Sequence, residues 1–146
     1  MLSENQYCTF YLDDLYLGIT VVQVQEVLRY QEMTVVPLSS DSVHGLINLR
    51  GQIVPAIDLR SCLGLPVRAD HVQPMNVVIR LDDGAASLLV DEIGDVLEVD
   101  DSHFEAPPQN LHESARGLIE GVYKLEGALL LILDVAAALG LDAEAA

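Results

Sequence analysis

The feature of this sequence that most restricts its fold is a pattern that occurs twice. Residues 7–14 match residues 76–83, and residues 45–65 match residues 121–141. The second match includes the identical pairs Gly45/Gly121, Leu49/Leu125, Gly51/Gly127, Asp58/Asp134, Leu63/Leu139, Gly64/Gly140 and Leu65/Leu141. Because the matches keep their order along the chain, they predict one domain over residues 1–146 with two equivalent halves, 1–66 and 67–146. An exchange of strands between these halves stays open.

Each half is predicted to form five short strands. β-Branched and aromatic runs bounded by turn residues are typical of strands, and glycine readily takes the positive φ of a tight hairpin, here at Gly51 and Gly127. In the first half the predicted strands are 7–12, 15–22, 27–36, 46–50 and 52–59. In the second half they are 76–81, 86–90, 96–99, 122–126 and 128–135.

Five strands in each half, separated by frequent turns, favour a mainly all-β fold of two small closed barrels. Closure removes the sheet edges that would otherwise pair with other chains. Residues 134–140 predict a short C-terminal helix, with Asp134 as N-cap and Gly140 at its end, and residues 58–64 predict a shorter counterpart. A loop insertion is predicted between Leu97 and Gly121, and residues 141–146 are expected to fray.

The charge of the chain narrows the choice of partners. It has 23 Asp and Glu against 7 Lys and Arg, for a net charge of −16. Such a chain repels nucleic acid and anionic lipid. The excess either steers it toward a basic protein surface or only keeps it in solution. No apolar run approaches a membrane span and the N-terminus lacks a signal-peptide pattern, so we expect a cytoplasmic protein without direct membrane insertion.

Residues that could carry chemistry form no recognisable constellation. Phosphate-loop, dinucleotide-binding, nucleophile-elbow and zinc-protease motifs are absent from the sequence. Cys8 and Cys62 lie in apolar settings that raise a thiol pKa. The acidic residues of 91–105 lack the spacing of a calcium loop and predict a solvated strand face. We therefore predict no catalytic residue, no metal site and no cofactor, and a groove between two barrels that binds protein.

One stretch carries a family resemblance. Residues 45–60, which read Gly-Leu-Ile-Asn-Leu-Arg-Gly-Gln-Ile-Val-Pro-Ala-Ile-Asp-Leu-Arg, resemble the signature of the CheW family of chemotaxis coupling proteins. Residues 16–19, 24–28, 90–97 and 131–135 are similar to other parts of that family. The resemblance extends over about residues 6–140.

The resemblance implies two five-stranded SH3-like barrels and an adaptor without catalysis. Its expected partners are the cytoplasmic tip of a methyl-accepting chemoreceptor and the regulatory domain of the CheA histidine kinase. Carried over to matching positions, the receptor-binding residues are Val24, Glu26, Leu28 and Arg50, and Gly45 is a kinase-binding residue.

Several alternatives stay open at this stage. On periodicity alone Val24 and Leu28 fit a core, and Arg50 could simply neutralise Asp58. For the whole chain, the alternative functions are an unrecognised small-molecule enzyme and a detached regulatory module of a histidine kinase.

Overall fold

A computed structural model describes residues 5–35, 43–69, 72–82, 84–109 and 113–139 of the chain. Within these ranges the fold is mainly β, as predicted. The strands are β1 (Gln6–Leu12), β2 (Leu15–Thr20), β3 (Val24–Leu28), β4 (Val43–Leu49), β5 (Gln52–Asp58), β6 (Met75–Leu81), β7 (Gly84–Val90), β8 (Glu92–Glu98), β9 (Phe104–Glu105), β10 (Ile119–Leu125) and β11 (Ala128–Leu133). One-turn helices are α1 (Leu59–Cys62), α2 (Glu113–Arg116) and α3 (Val135–Ala138). None of these helices has the length and apolar character that a membrane crossing requires.

The strands form two sheets, which correspond to the two predicted barrels. The five-stranded barrel has the order β3-β6-β7-β5-β4, and the six-stranded barrel has the order β8-β1-β2-β11-β10-β9. The sixth strand is β9, a two-residue segment of the predicted loop insertion. Neither β9 nor α2 was predicted, because neither is long enough to show a periodic pattern.

Strands are exchanged between the two halves of the repeat. Strands β6 and β7 complete the barrel of β3, β4 and β5, whereas β1 and β2 complete the barrel of the later strands. Each sheet has one antiparallel junction between the halves, β3 with β6 or β1 with β8. Each also has one parallel junction: Ala56 of β5 lies opposite Ser87 of β7, and Ile132 of β11 lies opposite Gly18 of β2. The repeat relates these two pairings to each other. The boundary near residue 66 therefore separates two repeats, and each barrel combines strands from both.

Three apolar clusters are formed by the residues that the structure describes. The central cluster receives residues from both sheets, including Phe10 and Leu17 from one and Val77 and Leu88 from the other, and these four are at most 1% exposed. The interior of the six-stranded barrel contains Tyr7, Val99, Tyr123, Leu130 and Ile132. The interior of the five-stranded barrel contains Ile47, Leu49, Val54, Val78 and Ala85. Removing this aliphatic surface from water is the main favourable term in folding.

The third strand of each half differs from its prediction. Strand β3 occupies Val24–Leu28 and β8 occupies Glu92–Glu98, whereas residues 27–36 and 96–99 were predicted. After β3 the chain passes beside β4 and pairs with it at an isolated antiparallel bridge, where Thr34 and Leu46 exchange backbone hydrogen bonds of 2.9 and 2.8 Å. The predicted bounds followed the apolar residues, and these continue beyond Leu28, where the regular pairing of β3 with β6 ends.

Both predicted short helices are present. The N-cap of α3 is Asp134, whose carboxylate accepts a hydrogen bond from the Ala137 N–H at 3.1 Å. Asp58 caps α1 in the same way and accepts from the Arg60 N–H at 3.1 Å. The predicted helix end at Gly140 and residues 141–146 lie outside the described residues.

A cluster of charged side chains ties the two barrels together. Arg60 of α1 donates to both carboxylate oxygens of Asp91, at 3.0 and 2.6 Å, and also forms an ion pair with Asp13 in the β1–β2 turn. Its third nitrogen donates to the Pro66 carbonyl at 2.8 Å. Because Arg60 follows the five-stranded barrel and Asp13 belongs to the other one, this guanidinium links the two sheets.

Asp91 is the centre of this cluster. It also accepts hydrogen bonds from the Arg68 Nε and from the Asp13 N–H, both at 2.9 Å. The prediction of a solvated acidic face holds for Glu92, which is exposed, and is wrong for Asp91, whose side chain is only 16% exposed. Burial raises the Asp91 pKa, but the hydrogen bonds from Arg60, Asp13 and Arg68 outweigh burial and lower it from 3.8 to about 2.

The low pKa of Asp91 predicts how stability changes in acid. Since the carboxyl binds a proton more readily in the unfolded chain, its stabilising effect is complete above about pH 4 and is lost as the pH falls toward about 2. We expect Asp91→Asn to reduce the free energy of unfolding at pH 7 by about 3 kcal/mol, because Arg60 loses a buried partner. Between pH 4 and pH 2, the variant should lose less further stability than the wild type.

Urea denaturation at several pH values measures both effects. Glu92→Gln is the matched control, since it neutralises the exposed acidic neighbour and should follow the wild-type pH dependence. Equal slopes for Asp91→Asn and wild type in this acid range would contradict the role assigned to Asp91.

Candidate functional site

The hairpin between β4 and β5 meets strand β3 at one end of the five-stranded barrel. Leu49 pairs with Gln52, so the turn consists of Arg50 and Gly51 alone. Their φ values are 51° and 88°, the two positive values of a type I′ turn. The Gly51 N–H donates to the Asn48 side chain at 2.9 Å. The predicted positive φ at Gly51 is confirmed, and the same holds for Gly127, at 77°.

This turn places Arg50 against Glu26. Their side chains form an ion pair on the surface, with Arg50 67% exposed and Glu26 23% exposed. The hydrogen bond from Arg50 lowers the pKa of Glu26, and the same bond raises the pKa of Arg50. Exposed ion pairs add little stability. The contact therefore mainly fixes where two opposite charges stand on the surface.

The alternative partner of Arg50 is excluded by the geometry of Asp58. Asp58 caps α1, and one of its oxygens lies 3.7 Å from the Arg68 guanidinium. The Arg68 side chain is 8% exposed, so this contact belongs to the interior. Arg50 therefore forms its ion pair with Glu26, whereas Asp58 makes its contacts in α1 and with Arg68.

Val24 and Leu28 are both half-buried, and they pack on different clusters. Val24 contacts the central cluster and Leu28 contacts the interior of the five-stranded barrel. The reason is a shift in register between Val24 and Glu26, where one extra residue makes a β-bulge. Both residues therefore contribute to packing, and each keeps only part of its surface for a partner.

Sequence reasoning missed the more exposed apolar residues at this end of the barrel. Val27 of β3 is 40% exposed and Ile53 of β5 is 57% exposed. The repeat offers a signal that could have found them, because their equivalents Val96 and Leu129 are exposed as well, at 58% and 39%. Positions that stay apolar and exposed in both halves are candidates for protein contact.

Gly45 lies inside the structure. A Cβ at this position would stand 2.9 Å from the Thr34 carbonyl oxygen and 3.1 Å from the Met33 Cβ. Glycine is required there because the segment that leaves β3 crosses β4 at this point. Any contribution of Gly45 to kinase binding would therefore be indirect, through the position of Met33 and Thr34.

The two cysteines have properties unsuited to nucleophilic chemistry. Burial and the nearby Asp58 carboxylate raise the pKa of Cys62 to about 11, and burial also raises the pKa of Cys8. A protonated thiol is a poor nucleophile and a poor metal ligand. Within the described ranges, no three His, Cys, Asp or Glu side chains are grouped so that they could hold a metal ion.

Known proteins are similar to this chain in sequence and in fold. Residues 6–142 match the CheW-like domain family. The chemotaxis protein CheW of Bacillus subtilis is 35% identical over 122 residues, which cover 84% of this chain and 78% of that protein. The chemotaxis protein CheW of Thermotoga maritima is 28% identical over 134 residues, which cover 92% of this chain and 87% of the relative.

A solved structure supports the same relationship. The crystal structure of the scaffolding protein TtCheW from Thermoanaerobacter tengcongensis superposes with a TM-score of 0.79 at 26% identity. The superposition covers 90% of this chain and 89% of that one. The family resemblance predicted from residues 45–60 is confirmed, and so is the mainly β fold.

Packing at Gly45 leads to a prediction about stability. We expect Gly45→Ala to lower the free energy of unfolding by about 1–3 kcal/mol, because the added methyl group meets a backbone oxygen that cannot move freely. Gly84→Ala is the matched control, since a Cβ at Gly84 would have nothing within 4 Å. Its effect should stay within about 0.5 kcal/mol. Urea denaturation measures both variants, and equal effects would contradict the close approach at Gly45.

Proposed function

Because the chain belongs to the CheW family, we propose that it links the cytoplasmic tip of a methyl-accepting chemoreceptor to the regulatory domain of the CheA histidine kinase. It would do so in the cytoplasm, at receptor arrays, by protein binding without catalysis. The observation that carries this proposal is the surface formed by β3 and the β4–β5 hairpin. There an exposed ion pair, Glu26 with Arg50, stands at the same end of the barrel as the exposed Val27.

The chemistry of this surface suits a helical receptor hairpin. Val27 is 40% exposed and offers apolar contact to the apolar face of a helix. Arg50 is two-thirds exposed, and its planar guanidinium can donate two parallel hydrogen bonds to a carboxylate. Glu26 can accept from a basic residue of the partner. A receptor tip with both charges beside an apolar strip would match this pattern.

We place the kinase contacts at the ends of the barrels, away from the central cluster. Gly45 is included through the crossing segment that it accommodates, since its own surface is buried. The excess of acidic residues, for a net charge of −16, favours association with basic or mixed-charge partner surfaces. Such attraction acts mainly on the rate of association.

A binding experiment tests the proposal. The wild-type chain should co-elute in gel filtration with a cognate receptor cytoplasmic fragment and, separately, with the CheA regulatory domain. Arg50→Glu should weaken receptor binding by at least about tenfold, or 1.4 kcal/mol. Its free energy of unfolding should change by less than about 1 kcal/mol, because the pair is exposed.

Lys124→Glu is the control for the charge change. Lys124 is 68% exposed and forms a surface ion pair with Glu105 at 3.3 Å on the other barrel, so receptor affinity should be kept. The double variant Glu26→Arg/Arg50→Glu restores an internal pair with reversed charges. If the receptor contacts these two charges directly, the double variant should bind the receptor fragment as weakly as Arg50→Glu does. Failure of the wild type to bind either partner would overturn the proposal.

A further inference from the structure

Strand β3 carries most of the proposed receptor surface, but little backbone pairing holds it. It has five residues and lies at one end of its sheet, where it pairs with β6. The register shift between Val24 and Glu26 interrupts that pairing. Short edge strands with a bulge open more easily than central strands. Something else must hold β3 in place if its side chains are to face a partner in one geometry.

A buried amide holds the end of β3. Asn76 of β6 donates from its side-chain nitrogen to the carbonyl oxygen of Arg29, at 3.1 Å. The hydroxyl of Ser87, on β7, donates to the side-chain oxygen of Asn76 at 2.7 Å. Asn76 is 1% exposed and Ser87 is fully buried. The Arg29 carbonyl can only accept, so the Asn76 N–H groups face it, and the Ser87 hydroxyl then donates to the amide oxygen.

An arginine holds the start of the strand. Nη1 of Arg80 donates to the Val24 carbonyl at 2.6 Å and to the Val22 carbonyl at 3.3 Å. Asn76 and Arg80 are four residues apart on β6, so they lie on the same face of that strand. One strand therefore reaches both ends of β3 with side-chain donors.

The other barrel has no copy of this arrangement at the repeat-equivalent positions. In the six-stranded barrel, Tyr7 and Gly18 occupy the positions that Asn76 and Ser87 occupy in the five-stranded barrel. Tyr7 packs against Tyr123 with ring centroids 5.6 Å apart. The equivalent position can therefore be filled by an aromatic side chain that packs against another ring. A buried amide costs free energy unless it is fully hydrogen-bonded, which points to a use beyond filling space.

We infer that Asn76, oriented by Ser87, is a positioning residue that keeps the end of β3 in the geometry in which Glu26 and Val27 meet the receptor. Arg80 does the same for the start of the strand. This inference rests on the proposed receptor binding and names residues outside the contact surface that binding depends on.

Thr9 provides a matched control in the six-stranded barrel. It is 1% exposed, and its hydroxyl donates at 2.5 Å to the carbonyl of Asp95 on β8, the strand equivalent to β3. Thr9→Val removes one buried hydrogen bond to that strand, as Asn76→Leu removes one to the end of β3. Both variants should lose stability, so stability alone does not distinguish them.

Two measurements on full-length protein do distinguish them. Amide hydrogen exchange in β3, measured over Val24–Leu28, should accelerate by about tenfold or more in Asn76→Leu and stay unchanged in Thr9→Val. Affinity for the receptor fragment should fall by about five- to tenfold in Asn76→Leu and by less than about twofold in Thr9→Val. Ser87→Ala is a milder variant that keeps the amide, and it should shift both readouts in the same direction by a smaller factor.

The possible outcomes separate the inference from the proposed function. Faster exchange with unchanged receptor affinity would show that Asn76 has only a structural role and would overturn the inference, as would unchanged exchange. If Asn76→Leu does not fold, Ser87→Ala decides by the same criteria. If the wild type itself does not bind the receptor fragment, the proposed function fails, and with it the receptor role assigned to Asn76, while exchange still reports whether Asn76 holds β3.

Discussion

The fold depends on the strand pairings that join the repeats, two of which are parallel. Strand β5 pairs with β7 and strand β11 pairs with β2, and in each case the partner comes from the other half of the chain. Neither barrel can be completed by one half alone, so the two barrels form as one unit. The central apolar cluster follows from the same exchange, since strands that cross over bring apolar side chains from both sheets together. A repeat that would otherwise give only two separate small cores, each weak at this size, gains a large shared cluster between them.

Differences between the two repeats give the two barrels different charged and buried polar residues. The position of Arg60 is an alanine in the second repeat, and the position of Asp91 is a valine in the first. The charged cluster therefore occurs once and connects the barrels on one side. The same is true of the buried Asn76, whose counterpart is an aromatic ring. The proposed adaptor function requires such differences, because two identical barrels would present identical surfaces to two different partners.

Much of the fold followed from local sequence patterns. The repeat, the hairpin glycine at Gly51 and the helix caps at Asp58 and Asp134 were all predicted, because turn and cap geometry depends on neighbouring residues. The site was predicted in part. Glu26 and Arg50 were assigned to one surface, and the structure pairs them. Val27 was missed because the bulge in β3 changes which side chains face outward, and a bulge leaves no clear trace in a five-residue strand.

The sequence by itself determined the elements: two similar sets of strands, tight turns between them, and a family whose signature runs through residues 45–60. Only the tertiary structure decided which strands share a barrel, why Gly45 must be a glycine, and that Asp91 is held by two arginines in a partly buried cluster. The physical reason is the distance along the chain between the groups involved. Turns and caps are set by residues a few positions apart. The partners of Asp91 come from the first turn, from α1 and from the segment after it, and they meet only once the exchanged strands have assembled both sheets.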